Sequence, residues 1–128
     1  MAKIEGKCKE VMDKTEWIAI TTIGDDGPHL VATWGDYVRT IGIKDDEIII
    51  IPAGYYQKTE ENLGKNNNVE LIIASKDVQG SQGPGQGCLI SGRGEIQTSG
   101  EMAEMAKAKF SWARGALVIR VNKVESLL

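Results

Sequence analysis

Residues 17–37 have the sequence WIAITTIGDDGPHLVATWGDY, in which two apolar runs flank a short polar segment. The first run, Trp17 to Ile23, is rich in β-branched residues and predicts a strand. Residues 24–28 contain two glycines, two aspartates and Pro28. They favour a turn, because glycine adopts positive φ and proline restricts its own φ. The second run, His29 to Tyr37, predicts the returning strand of a β-hairpin.

Four further strands and three helices are predicted outside this hairpin. A helix over residues 4–14 is indicated because its apolar residues recur at helical spacing. Residues 101–112 combine helix-forming residues with acids in the first turn, and a short helix over 59–63 begins with Thr59 as its cap. The remaining predicted strands are Glu47–Ile51, Val69–Ala74, Cys88–Ile96 and Ala116–Val121.

The order of these elements predicts a mainly β fold, a six-stranded antiparallel barrel with helices packed outside it. Long alternation of strands and helices is missing, and this disfavours a doubly wound parallel sheet. The strand at 47–51 is apolar on both faces, which is typical of a strand in a barrel wall that is covered on its outer face as well as its inner face. With 128 residues the chain fits one domain, predicted to span residues 1–128.

The composition is that of an ordinary soluble protein, with 41% hydrophobic and 26% charged residues. Fifteen basic and 18 acidic residues give a net charge of −3. This charge argues against binding to nucleic acid or anionic membranes, because both need basic patches. No apolar run is long enough to span a bilayer, and the first ten residues lack the apolar core of a signal peptide. We therefore predict a cytoplasmic protein.

The cysteine and histidine content limits the possible chemistry. Cys8 and Cys88 lie outside any C-x-x-C spacing and are predicted to be free thiols of a reducing cytosol, with a disulfide as the alternative. His29 is the only histidine, which excludes a histidine-based metal cluster, and no metal site is predicted. No Ser–His–Asp order or thiol–histidine pair indicates a hydrolase.

The clearest candidate site is Gln57-Lys58-Thr59, at the start of the short predicted helix. A helix N-terminus presents unpaired N–H groups and a partial positive charge, which together bind phosphate well. Lys58 adds a full positive charge and Thr59 a hydroxyl donor. The alternative is that Thr59 only caps the helix and Lys58 is solvated.

Three other segments are candidates with equally simple structural explanations. The glycine-rich residues 80–87 predict a loop. Its glycines either let backbone N–H groups approach a ligand or form only a flexible connection. This loop matches neither a P-loop nor a dinucleotide-binding fingerprint. The aromatic residues Trp34 and Tyr37 are suited to stacking on a flat ring or to filling the core. Trp112 has the same two interpretations.

Four segments in the same order and spacing resemble the small FMN-binding proteins of the split-barrel superfamily, relatives of pyridoxamine 5′-phosphate oxidase. They are GDDGPHLVATWGDY (24–37), IIIIPAGYYQKTEEN (48–62), GPGQGCLISG (83–92) and FSWARGALVI (110–119). The likeness runs from about Thr15 to Leu128. It implies a six-stranded split barrel that forms a homodimer, with FMN held without a covalent link at the subunit interface.

The resemblance also implies cofactor-binding residues. Lys58 and Thr59 match the family's phosphate-binding pair, which Gln57 precedes. The other matched positions are Thr33, Trp34, Gly35, Asp36 and Tyr37 along the flavin; Pro52, Gly54 and Tyr55 in a loop facing its ring; Gly85, Gln86 and Gly87 bordering the pocket; and Trp112 and Leu128, which reach the flavin from the partner chain.

The chain departs from the family pattern at two of these segments. Relatives often carry Asn-Ser where this chain has Gly35-Asp36, and Gly where it has Tyr55. An acid near the flavin phosphate is unfavourable, so we expect Asp36 to point elsewhere.

Three functions follow from the resemblance. The favoured one is a small electron carrier with a redox partner protein or a small-molecule electron donor. The alternatives are an FMN-dependent oxidoreductase, either an NAD(P)H-dependent flavin reductase or a catalyst like pyridoxamine-phosphate oxidase, and a non-catalytic flavin-binding module. The carrier is favoured because the chain is short for a nicotinamide site and has no obvious acid–base pair.

Overall fold

The predicted hairpin forms one end of a six-stranded antiparallel sheet in the computed structural model, which describes residues 2–127. The strand order is β2-β1-β4-β5-β6-β3. The elements are α1 (Gly6–Lys14), β1 (Trp17–Gly24), β2 (Gly27–Trp34), α2 (Gly35–Ile41), β3 (Ile48–Ala53), α3 (Gln57–Lys65), β4 (Asn68–Gly80), β5 (Gly83–Gln97), α4 (Glu101–Lys109) and β6 (Gly115–Leu127).

The sheet curls into a half-barrel with the helices packed against it, which confirms the predicted fold class. Alternation of side chains along β1 directs Ile18 and Ile20 into the main core, with α1 packed nearby. β3 is buried along its whole length, as predicted: Ile49 and Ile51 belong to the main core. Its other face lies in a second cluster that α4 covers. No helix within residues 2–127 is long and apolar enough to cross a bilayer.

The strand predicted to extend from His29 to Tyr37 ends earlier, at Trp34, and a helix follows that the sequence analysis did not predict. The backbone N–H of Gly35 donates to the Glu16 carbonyl oxygen over 2.8 Å at the start of α2. A Cβ on Gly35 would collide with the Thr15 carbonyl oxygen, so this close approach requires glycine. The prediction failed because the end of β2 depends on this contact with Glu16, which lies far from Gly35 in the sequence.

The loop predicted over residues 80–87 is also wrong. β4 and β5 continue through the glycines, and only two residues separate Gly80 from its pairing partner Gly83. Gly83 and Gly85 have φ of 131° and 112°, which only glycine adopts easily. The glycines therefore form a long hairpin rather than a flexible connection.

The prediction of two free thiols is wrong as well, because Cys8 and Cys88 form a disulfide. It joins α1 to β5, with a Cα–Cα distance of 5.8 Å that lies in the normal range for disulfides. Both residues are buried in the main core. The bond closes a long segment of chain, since the two cysteines are 80 positions apart.

We expect reduction of this disulfide to lower the free energy of unfolding by about 2–4 kcal/mol, because it frees a long loop in the unfolded chain. Equilibrium unfolding in urea, with and without reductant, measures the difference. A Cys8→Ser/Cys88→Ser variant serves as the control, since reductant should leave its stability unchanged. Titration of two thiols in the native, unreduced protein would contradict the pairing.

Candidate functional site

The first turn of α3 contains a buried hydroxyl group that has no hydrogen-bond partner. α3 begins at Gln57, with Tyr56 in the capping position at φ 60° and ψ 34°. Thr59 is therefore the third helical residue and not the cap that the sequence predicted. Its Oγ1 is fully buried and makes no hydrogen bond within residues 2–127. An unpaired buried hydroxyl costs about 1–3 kcal/mol, so this atom is suited to a ligand.

Lys58 lies beside this hydroxyl in sequence and remains partly exposed. Its Nζ is 3.5 Å from Asp26 Oδ1, in the turn between β1 and β2. Lys65, at the other end of α3, makes a second ion pair of 2.7 Å with Asp25, and their hydrogen bond lowers the pKa of that carboxyl. These exposed pairs stabilise little by themselves, but they show that both ends of α3 face the same turn.

A buried hydrogen bond attaches the middle of α3 to the hairpin. Asn62 Nδ2 donates to Thr22 Oγ1 over 3.1 Å, and both residues are buried. Gly24 lies under the same amide: a Cβ at this position would come within 2.5 Å of Asn62 Oδ1. The glycine therefore allows the helix to lie directly against β1.

Tyr56 connects the start of α3 with Thr33, one of the predicted flavin-binding residues. Burial raises the pKa of the Tyr56 hydroxyl above its usual value, and the Thr33 side chain opposes part of this rise. The Thr33 side chain is buried, whereas Trp34 next to it is half exposed. The structure thus places the two neighbours on opposite faces of β2.

The predicted ring-facing loop lies between β3 and α3, where Arg114 holds it. Arg114 Nε donates to the Gly54 carbonyl oxygen over 2.6 Å, and Nη2 lies 3.5 Å from the Tyr55 carbonyl oxygen. The same Nη2 pairs with Glu60 Oε1 on α3 at 2.7 Å. Tyr55 itself is 86% exposed, so its side chain is available to a ligand. Pro52, before the loop, is buried within β3.

An aromatic cluster covers one side of this loop. The rings of Tyr37, Phe110 and Trp112 lie 4.8–5.7 Å apart between centroids. A Cβ on Gly54 would lie 3.3 Å from Trp112 Cε3, so the indole packs directly on the loop. α4 ends at Lys109 rather than at Trp112 as predicted, which leaves Trp112 in the turn before β6 and half exposed.

Two predicted residues, Gly35 and Asp36, make contacts at the start of α2. Asp36 Oδ1 accepts a hydrogen bond of 2.6 Å from Arg39 Nη2 within the same helix. Gly35 is buried against the carbonyl group of Thr15. Both residues therefore have structural roles at the start of α2.

Gly85, Gln86 and Gly87 lie apart from the other predicted residues within one chain. They line a cavity of about 370 Å³ together with Ala74, Ser75, Lys76 and Leu127. Gln86 Nε2 donates to the Leu127 carbonyl oxygen over 3.0 Å and so attaches β5 to the end of β6. The predicted contact of Leu128 lies outside the described residues.

An apolar surface covers the outer face of the sheet, on the side away from the main core. Trp17 is the register partner of Trp34, and Ile72 is paired with both Ala19 and Leu89. The exposed fractions of Trp17, Trp34 and Ile72 are 53%, 52% and 49%. Leu30 on β2 and Leu127 on β6 are exposed as well. A contiguous apolar surface of this kind marks an interaction site.

Sequence reasoning missed four residues that build this site: Tyr56, Glu60, Asn62 and Arg114. For Asn62 there was a weak signal in the sequence: asparagine is a poor helix former, so its presence within a predicted helix indicates a specific contact of its side chain. Nothing in the sequence around Arg114 indicated its contacts with residues 54–60. Within residues 2–127, no cluster of three histidine, cysteine or acidic residues is arranged to hold a metal ion.

Comparison with known proteins tests the resemblance. The family model for pyridoxamine 5′-phosphate oxidase matches residues 4–127. A relative named FMN-binding protein, from Nitratidesulfovibrio vulgaris (strain DSM 19637 / Miyazaki F), is 41% identical over 125 residues, which are 98% of this chain and 99% of that protein.

Two solved structures share the fold at low sequence identity. HupZ from Group A Streptococcus has a TM-score of 0.73 at 21% identity, covering 93% of this chain and 92% of that one. An FMN-binding protein from Syntrophomonas wolfei subsp. wolfei has a TM-score of 0.66 at 12% identity, covering 95% and 84%. Because the family model spans almost the whole chain and the sequence relative agrees with it, the chain belongs to the pyridoxamine 5′-phosphate oxidase family.

Proposed function

We propose that this protein binds FMN without a covalent link and acts as a small electron carrier, with a flavin site that a second copy of the chain completes. One observation carries the proposal: the Thr59 hydroxyl is buried without a partner among residues 2–127, next to Lys58 in the first turn of α3. Two relatives named FMN-binding proteins support the same cofactor.

The first turn of α3 suits the phosphate group of FMN. This group carries nearly two negative charges at neutral pH, and the turn offers backbone N–H groups at the positive end of the helix dipole. A phosphate oxygen would accept a hydrogen bond from the Thr59 hydroxyl and relieve its unpaired state. Lys58 would then exchange its contact with Asp26 for a stronger one with the phosphate.

The loop at Gly54 and Tyr55 suits the flat ring. Arg114 holds its carbonyl groups, and Trp112 gives it apolar cover. Bound FMN supplies the redox chemistry, whereas the protein sets its orientation and its access to solvent and partners. The half-exposed Trp112 is able to extend over a flavin of its own chain or of a partner.

A carrier is preferred to the enzyme alternatives because Glu60, an acid of α3 beside the ring-facing loop, is engaged. Glu60 pairs with Arg114 at 2.7 Å, and this ion pair does not involve Lys58. The Glu60 carboxylate is thus not free to act as a general base toward a substrate.

A homodimer through the outer face of the sheet explains two separate features. It would bury the apolar surface around Trp17, Trp34 and Ile72, which the chain itself leaves half exposed. It would also bring Gly85–Gly87 of one copy toward the flavin of the other, since these residues border the same face through Leu127.

We expect Lys58→Ala to weaken FMN binding about tenfold to a hundredfold, because a charge-assisted hydrogen bond contributes about 1.5–3 kcal/mol. Riboflavin, which lacks the phosphate, should bind both proteins almost equally. Fluorescence titration of the apoprotein with each flavin measures the difference. Lys65→Ala is the matched control, because Lys65 is an exposed cation at the far end of α3.

Thr59→Val separates a phosphate contact from a structural role in the same assay. Valine has a similar shape and leaves no unpaired hydroxyl, so the apoprotein should unfold at equal or higher denaturant concentration while its affinity for FMN falls. If neither Lys58→Ala nor Thr59→Val changes the preference for FMN over riboflavin, the proposed phosphate site is wrong.

We expect the FMN-loaded protein to oxidise NADH or NADPH no faster than free FMN does, because a carrier has no nicotinamide site. Steady-state absorbance at 340 nm with an artificial electron acceptor measures the rate. Saturable turnover well above that of free FMN would instead support the flavin reductase alternative.

We expect Ile72→Arg to convert the dimer into a monomer at micromolar concentration. The substitution places an unpaired charge in the apolar surface of both copies, and each such charge costs roughly 2 kcal/mol or more. Sedimentation equilibrium measures the mass. Ala108→Arg, on the exposed side of α4, is the control. A wild-type protein that is monomeric with a full content of FMN would refute the dimer.

A further inference from the structure

A second cavity, separate from the proposed flavin site, lies at the C-terminal end of α3. It forms where β5 continues beyond the start of β4, at the register pair Asn68–Arg93. Its volume is about 430 Å³. The residues that line it are Leu63, Gly64, Asn67, Arg93, Gly94, Glu95, Val118 and Arg120.

Two arginines lie side by side in the lining of this cavity. Arg93 on β5 is the register partner of Arg120 on β6, and both are exposed. Direct partners on adjacent strands have Cβ atoms about 4.5–5.5 Å apart, and like charges at this spacing are destabilising. The pair therefore costs stability unless a negative group offsets it.

No carboxylate within residues 2–127 forms an ion pair with either arginine. The other two arginines of the chain do form ion pairs: Arg39 pairs with Asp36 at 2.6 Å, and Arg114 pairs with Glu60 at 2.7 Å. The guanidinium groups of Arg93 and Arg120 are therefore adjacent and without an ion pair among residues 2–127, which leaves their donors available to an external anion.

The remaining polar groups of the cavity leave room for such a group. Gly94 has no side chain, and its N–H donates to the Asn67 carbonyl oxygen over 2.8 Å, which holds the backbone of Asn67 at the rim. Glu95 is the only acid in the lining, and its Oε1 accepts a 2.6 Å hydrogen bond from Gln97. Glu95 reduces the positive potential but makes no ion pair with either arginine.

We propose that this cavity binds the phosphate group of a small phosphorylated molecule other than FMN, through Arg93 and Arg120. A dianionic phosphate offsets both positive charges, whereas a single carboxylate offsets only one. Each guanidinium presents a planar set of donors that binds two oxygens at once. The cavity volume is sufficient for a small phosphate ester. Its residues lie at the end of α3 opposite to Lys58 and Thr59.

The test is a titration of the FMN-loaded protein with inorganic phosphate at constant ionic strength, followed through the arginine Nε–H signals by NMR. Loaded FMN keeps the start of α3 occupied. We expect saturable shifts of the Arg93 and Arg120 signals. Arg93→Gln and Arg120→Gln should each weaken phosphate binding at least tenfold, and Glu95→Gln should strengthen it severalfold because it removes the single acid.

Lys109→Gln, which removes one exposed positive charge from α4, should leave phosphate binding unchanged. The same titration in Lys58→Ala makes the result independent of the proposed flavin site. Absence of saturable shifts, or equal weakening by Lys109→Gln, would overturn the proposal. It is also overturned if the arginine variants leave phosphate binding intact and dissociate the dimer, since the pair would then serve the subunit interface.

Discussion

The hydrogen bond from Asn62 Nδ2 to Thr22 Oγ1, buried between α3 and β1, sets the position of the candidate phosphate site. Gly24 allows the Asn62 amide to approach β1 more closely than any side chain would permit. Because α3 is a rigid helix, attaching Asn62 also places Thr59 and Lys58, which lie three and four residues before it. Loss of either partner would leave a buried polar group unpaired, at a cost of about 1–3 kcal/mol.

Arg114 extends this arrangement from the phosphate region to the ring region. It stands just before β6, donates to the carbonyl group of Gly54 and pairs with Glu60 on α3. The ring-facing loop and the phosphate-facing helix are therefore attached to the same side chain and to the same sheet. The proposed flavin site is therefore held in place by contacts within the chain, and binding there would lose little free energy to ordering of the protein.

The parts of this protein that the sequence predicted correctly depend on neighbours along the chain. The hairpin at 17–34 follows from two β-branched runs around a glycine-rich turn, and β3 follows from an apolar run too long to be half exposed. The predicted end of β2 was wrong because Gly35 begins α2 through a contact with Glu16. The loop predicted over residues 80–87 was wrong because glycine content alone does not distinguish a loop from a hairpin with close backbone packing.

The sequence by itself determined the antiparallel β class and the family, and it singled out the Lys58-Thr59 pair as the candidate phosphate site, because period-two alternation, turn residues and short motifs are local properties. Only the tertiary structure decided that Cys8 pairs with Cys88, that the Thr59 hydroxyl is buried without a partner within residues 2–127, and that Arg93 lies opposite Arg120. The cysteines are 80 positions apart. Contacts over such separations depend on how the strands pair and curl, and no stretch of the chain encodes that alone.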